Sequence, residues 1–140
     1  MKVLRILGAI ILGVVVGSIV NMGLVTLSPM LIPLPDGIDS STMEGLKAGM
    51  RLFDPQHFVM PWLAHALGTL VGAFIATQVS QNKTWWSAVG VGVLFFSGGV
   101  LMVFQLPSPV WFSAIDLLFA YFPMAYLGYR LGSKSTVYIL

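Results

Sequence analysis

The chain has 140 residues, of which 57 % are hydrophobic and only 9 % charged, and it carries a net charge of +2. A soluble domain averages about 25 % charged residues, so seven basic and five acidic side chains are too few to keep a globule of this size wet. The composition excludes a soluble enzyme, a disordered chain and a nucleic-acid-binding module, which requires a clustered basic face. What is left is an integral membrane protein, and the mean hydropathy of +0.91 agrees. Cysteine is absent, which removes disulfides, thiolate metal sites and the chemistry of membrane thiol oxidoreductases.

A membrane-spanning helix needs about 20 apolar residues to cross about 30 Å of hydrocarbon. The first such stretch runs over about 6–27, behind Lys2 and Arg5. It is longer than a signal-peptide core of about 7–15 residues and no small-residue cleavage site follows it, so it reads as an uncleaved helix. A proline-rich segment from Ser28 to Gly37 comes next. Ser41-Thr42-Met43-Glu44 then has the form of a capping box, with Ser41 as N-cap and Glu44 reaching back. Met43, Leu46, Met50 and Phe53 recur at spacings of three and four, which predicts a short amphipathic helix over about 42–53, ended by Asp54-Pro55. That pattern suits a helix lying on the outer membrane surface and equally a lid packed on a bundle.

The second span is expected over about 58–79. Between Lys83 and Arg130 the only charge is Asp116, and that stretch is too long for one crossing. Gln105-Leu106-Pro107-Ser108-Pro109 divides it, because the prolines lack a backbone donor and disfavour helix before them. The third and fourth spans are therefore expected over about 87–104 and 110–132. The predicted fold is all-α: one domain of four transmembrane helices, with the amphipathic helix in the first extracytoplasmic loop.

Lys and Arg set orientation. Lys2, Arg5, Lys83, Arg130 and Lys134 fall on one side, and Lys47 and Arg51 on the other. The excess places both termini in the cytoplasm. Phe58, Trp62, Trp111 and Phe112 are expected as outer interfacial anchors, and Trp85, Trp86 and Tyr129 as inner ones. Gln78 and Gln81 belong to the inner interface, and Arg130 is expected to snorkel to it.

Small residues mark helix contacts in lipid, where no hydrophobic force draws helices together. Ala9, Gly13, Gly17 and Asn21 form a stripe at spacing four on the first helix. Ala64, Gly68, Gly72 and Ala76 form another on the second, and Gly128 and Gly132 a third pair on the fourth. The first two stripes are expected to pack on each other within the chain. A homodimer contact is the alternative use of the same motif.

Ionisable residues inside a membrane are costly and point to function by default. Asn21, His65 and Asp116 each lie about 10 Å below the outer boundary at a rise of 1.5 Å per residue, so one polar layer joins them, with Thr69 a turn beyond His65. In a functional reading Asp116 and His65 form a proton-linked or ligand-binding pair opening outward. In a structural reading Asp116 takes hydrogen bonds from His65 or Asn21 and locks the bundle, because a buried carboxylate needs such partners. Pro123 is expected to free the Phe119 carbonyl and kink the fourth helix. His57 reads as a solvated loop histidine, since one His beside Asp54 falls short of a zinc ligand set. With two histidines in all, a bis-histidine haem site is not favoured. No catalytic set, cofactor site or metal site is read in the chain.

Three stretches carry a family resemblance: Met43-Glu44-Gly45-Leu46-Lys47 with Phe53-Asp54-Pro55-Gln56-His57-Phe58, then Leu63-Ala64-His65-Ala66-Leu67-Gly68-Thr69, then Trp111 to Leu118 with Pro123 to Gly128. Together they resemble a family of small four-helix bacterial inner-membrane proteins with no assigned activity. The resemblance covers most of the chain, implies a bacterial cytoplasmic membrane and carries over no catalytic residue. Small multidrug transporters fit poorly, because they place an acid in a first helix that here has only Asn21. Fluoride channels fit poorly too, because their arginine-containing signature is missing. The expected function is that of a non-enzymatic accessory or structural protein whose partner is the lipid bilayer, without nucleic acid. The alternative is a small transporter or channel with an outward-facing polar site.

Overall fold

The computed structural model describes residues 2–80 and 84–134. Six α-helices follow in order: α1 (Lys2–Leu31), α2 (Met43–Gly49), α3 (Val59–Val79), α4 (Trp85–Gln105), α5 (Val110–Phe119) and α6 (Phe122–Lys134). Short 3-10 turns at Met50–Leu52 and Pro55–Phe58 join α2 to α3. There is no strand among the described residues. Four helical stretches are long and apolar enough to cross a membrane, with α5 and α6 together forming the fourth. The protein is an all-α, multi-pass bundle. Gln81, Lys83 and the tail from Ser135 onward, which bear on the expected topology, lie outside the described residues.

α1 is longer than expected, because Pro29 does not end it. The proline sits in the last turn, where little of the ladder remains to be lost, and the helix closes with the Ile32 N–H on the Ser28 carbonyl at 2.9 Å. At about 1.5 Å per residue, thirty residues exceed the hydrocarbon thickness. The last turns therefore project beyond the bilayer or the helix tilts within it. Gly37 then takes φ +82°, the left-handed geometry that the third residue of a tight turn demands.

The cap of α2 also differs from expectation. Thr42, not Ser41, is the N-cap, and its Oγ1 accepts the Gly45 N–H at 3.1 Å. Ser41 is occupied elsewhere: its N–H and hydroxyl both donate to Asp39 Oδ1, at 2.9 and 2.5 Å. Those bonds hold the Asp39 carboxyl below its usual value. α2 and the turn after it pack on the bundle end as a lid. Met50 is buried with Phe58 and Phe112, flanked by Leu46, Phe53, Trp62 and Leu106. Phe58 and Phe112 are thus core residues, their ring centroids 4.7 Å apart, and not the interfacial anchors expected. Trp111, Trp85 and Trp86 remain exposed.

His57 is likewise not a solvated loop histidine. It is 5 % exposed. Its Nδ1 accepts the Asp54 N–H at 2.9 Å, and its Nε2 donates to the Pro33 carbonyl 3.1 Å away. The ring ties the start of the loop to the foot of α3, a contact between residues 24 apart that no local pattern reveals.

α3 is the central helix. One face meets α1 through the expected glycine stripes. A methyl group added at Gly13 would lie 2.5 Å from the Gly72 carbonyl oxygen, and one at Gly17 would strike the Gly68 carbonyl oxygen. The opposite face meets α6, where Gly128 abuts the Leu70 carbonyl and Ala73, and Gly132 abuts Thr77. The outer surface is strongly apolar: Leu4, Ile11, Ile19, Phe104 and Leu118 are all exposed. In water such a surface would aggregate; in lipid it is solvated.

Candidate functional site: a buried His–Asp–Tyr cluster

The site forms where α3, α5 and α6 meet. Asp116 lies on α5, seven residues into the fourth span, and is 3 % exposed. Its Oδ1 is 2.8 Å from His65 Nδ1 on α3. Its Oδ2 accepts the Tyr121 hydroxyl at 2.8 Å. The Tyr121 oxygen is also 3.1 Å from His65 Nδ1, so the three groups close a triangle. The assignment that satisfies every contact has His65 protonated on Nδ1 and both carboxylate oxygens accepting. The His65 and Tyr121 rings stack with centroids 5.8 Å apart, and Phe96 meets the Tyr121 ring edge-on at 5.9 Å.

Tyr121 is absent from the sequence-derived cluster, and the reason is geometric. On a continuous helix, residues five apart point about 140° away from each other, so Asp116 and Tyr121 do not share a face. Pro123 breaks the helix as expected. It has no N–H for the Phe119 carbonyl, and helix is lost at Ala120 and Tyr121 between α5 and α6. That break swings the tyrosine hydroxyl back onto Asp116. Gly99 on α4 makes the room, because a Cβ there would collide with the Tyr121 hydroxyl. The available signal was a tyrosine in mid-span, far from either interface, since a buried Tyr hydroxyl seeks a partner.

The remaining cluster residues are placed differently. Asn21 lies on the α1 side of α3, where its Cβ occupies the space a Gly68 side chain would need. Its Oδ1, an acceptor, is buried without a hydrogen-bond partner, and the donors on the two Asp116 oxygens are His65 and Tyr121. Thr69 is fully buried, but its hydroxyl donates to the His65 carbonyl at 2.8 Å. That is the back-bond Ser and Thr make within helices, not a contribution to the triangle. Gly13, Gly17, Gly68 and Gly72 are all engaged in the α1–α3 contact, so a homodimer would need another face.

Among the described residues no group of three His, Cys, Asp or Glu side chains is placed to hold a metal ion. The cluster can do two things chemically. It can bind helices together through hydrogen bonds that the hydrocarbon cannot replace, or it can hold a proton on His65, whose side chain is 22 % exposed. Fold and site define a small helical membrane protein with an internal polar knot. No family model, curated protein or solved structure matches the chain.

Proposed function

We propose that this is a non-enzymatic accessory or structural protein of a bacterial cytoplasmic membrane, in which the His65–Asp116–Tyr121 triangle holds α3, α5 and α6 in register. The observation that carries this reading is the complete use of the carboxylate. Both Asp116 oxygens are bonded to the protein's own donors and the residue is 3 % exposed. A carboxylate meant to bind a substrate or relay protons needs a face open to water, and this one is turned inward. The resemblance to small inner-membrane proteins of unassigned activity supports the location. The excess of Lys and Arg at the end carrying both termini supports cytoplasmic termini.

A proton-linked transporter is the second reading, favoured by the partial exposure of His65. Proteoliposomes separate the two. Under an imposed proton gradient, vesicles containing the protein should acidify no faster than empty ones. A proton flux that Asp116→Asn abolishes would contradict the structural reading and establish the other.

A further inference from the structure

The opposite end of the bundle carries a second feature, independent of the polar triangle. An open groove of about 210 Å³ runs between α4 and α6, lined by Trp85, Val89, Phe122, Tyr126 and Tyr129. Its walls are almost wholly apolar. Arg130 is held on one of these lining residues: Nη1 donates to the Tyr126 hydroxyl at 2.8 Å, and the guanidinium carbon is 5.7 Å from the Tyr126 ring centroid. That bond engages one of the five donors an arginine carries. The others are fixed in direction by it, beside a groove whose wall is the same tyrosine.

The charge at this end has one sign. Lys2, Arg5, Arg130 and Lys134 all belong to it. Of the five acidic side chains, Asp36, Asp39, Glu44 and Asp54 lie in the loop at the far end, and Asp116 lies in the half of α5–α6 nearest that loop. An apolar slot with a positioned guanidinium and no acid nearby matches a ligand with a hydrocarbon tail and an anionic head. Trp85 and Trp86, their ring centroids 4.4 Å apart and both exposed, mark this level as the interface where a phosphate group would lie.

We propose that the α4–α6 groove binds one acyl chain of an anionic glycerophospholipid, whose phosphate is taken by Arg130. Basic pockets between spanning helices bind anionic headgroups by the same chemistry, and arginine suits phosphate because its planar fork can make paired hydrogen bonds. The lipid would staple α4 to α6 at the end of the bundle where no polar triangle operates.

The test is native mass spectrometry of the full chain. The delipidated protein is offered equal amounts of phosphatidylglycerol and phosphatidylcholine with identical acyl chains. The wild type should retain the anionic lipid over the zwitterionic one by roughly fivefold, about the effect of one basic residue near a membrane surface. Arg130→Gln should bring the ratio close to one. Lys2→Gln, at the same end but on α1, should leave it unchanged. Two wild-type measurements stand even if the variants fold poorly: the retention ratio itself, and the weaker retention expected of dihexanoyl phosphatidylglycerol, whose tails are too short to fill the groove. Equal retention of the two lipids would overturn the proposal. So would an equal loss from Lys2→Gln and Arg130→Gln, which would show diffuse charge instead of a site, or short-chain lipid held as firmly as long-chain lipid.

Discussion

Two of the contacts that join α3 to its neighbours are made by opposite means. Toward α1 the contact is made by absence: glycines at 13, 17, 68 and 72 bring two backbones together with almost nothing between them. Toward α5 and α6, the outer half is joined by three polar side chains that reach across a gap. The first mode depends on volume and is indifferent to polarity. The second depends on donors and acceptors and tolerates small changes of shape. In lipid both are needed, since neither helix pair gains from escaping water.

The largest effect should come from adding volume to the first contact. Gly72→Leu would drive a side chain into the Gly13 carbonyl. Overpacking of a tight contact costs about 1–3 kcal/mol and occasionally more, and a backbone obstacle belongs at the upper end. The expected outcome is loss of the folded peak in size-exclusion chromatography. A normal peak with normal helicity would show that α1 and α3 can separate, and the comparison would lose one side.

Tyr121→Phe should have a middling effect. It keeps the ring that fills the space beside Gly99 and removes only the hydroxyl donor to Asp116. A hydrogen bond between membrane helices contributes on the order of 1 kcal/mol. Unfolding in mixed detergent micelles should shift by about that amount, and no shift would mean the third corner of the triangle is ornamental. The smallest effect belongs to the loop. Ser41→Ala removes the hydroxyl that holds the Asp39 carboxyl low. The Asp39 titration, followed by NMR, should move up toward the ordinary carboxylate value. Because the folded pKa is lowered, the pairing stabilises the loop above the unfolded pKa and is lost as pH falls through the folded one. An unmoved titration would assign the shift to something other than Ser41.

The parts of this molecule legible in its sequence are those set by periodicity. Four apolar runs, the break at Pro107–Pro109 and the glycine stripes at spacing four all follow from helix geometry and the thickness of a bilayer. The parts that were not legible are set by contacts distant in sequence. His57 bonds the Pro33 carbonyl, and a histidine two residues past a proline reads as a loop residue unless that carbonyl is known to be near. Ser41 bonds Asp39 and leaves the cap to Thr42, a competition between two local motifs that a single pattern cannot resolve. The candidate site was half legible. His65 and Asp116 were found because ionisable residues inside a membrane stand out. Tyr121 was hidden because its reach to Asp116 requires the break that Pro123 makes, and Asn21 was included because depth alone does not say which side of α3 a residue faces.

Of the two contacts, the polar one carries the proposed role, and Asp116 is its centre. The direct measurement is the unfolding free energy and folded yield of Asp116→Leu in detergent, beside the wild type. If the carboxylate joins helices, the substitution leaves the His65 and Tyr121 donors facing a hydrocarbon side chain. Stability should then fall by about 2 kcal/mol, with a lower yield of folded protein. A variant as stable and abundant as the wild type would show that Asp116 does not hold the bundle together.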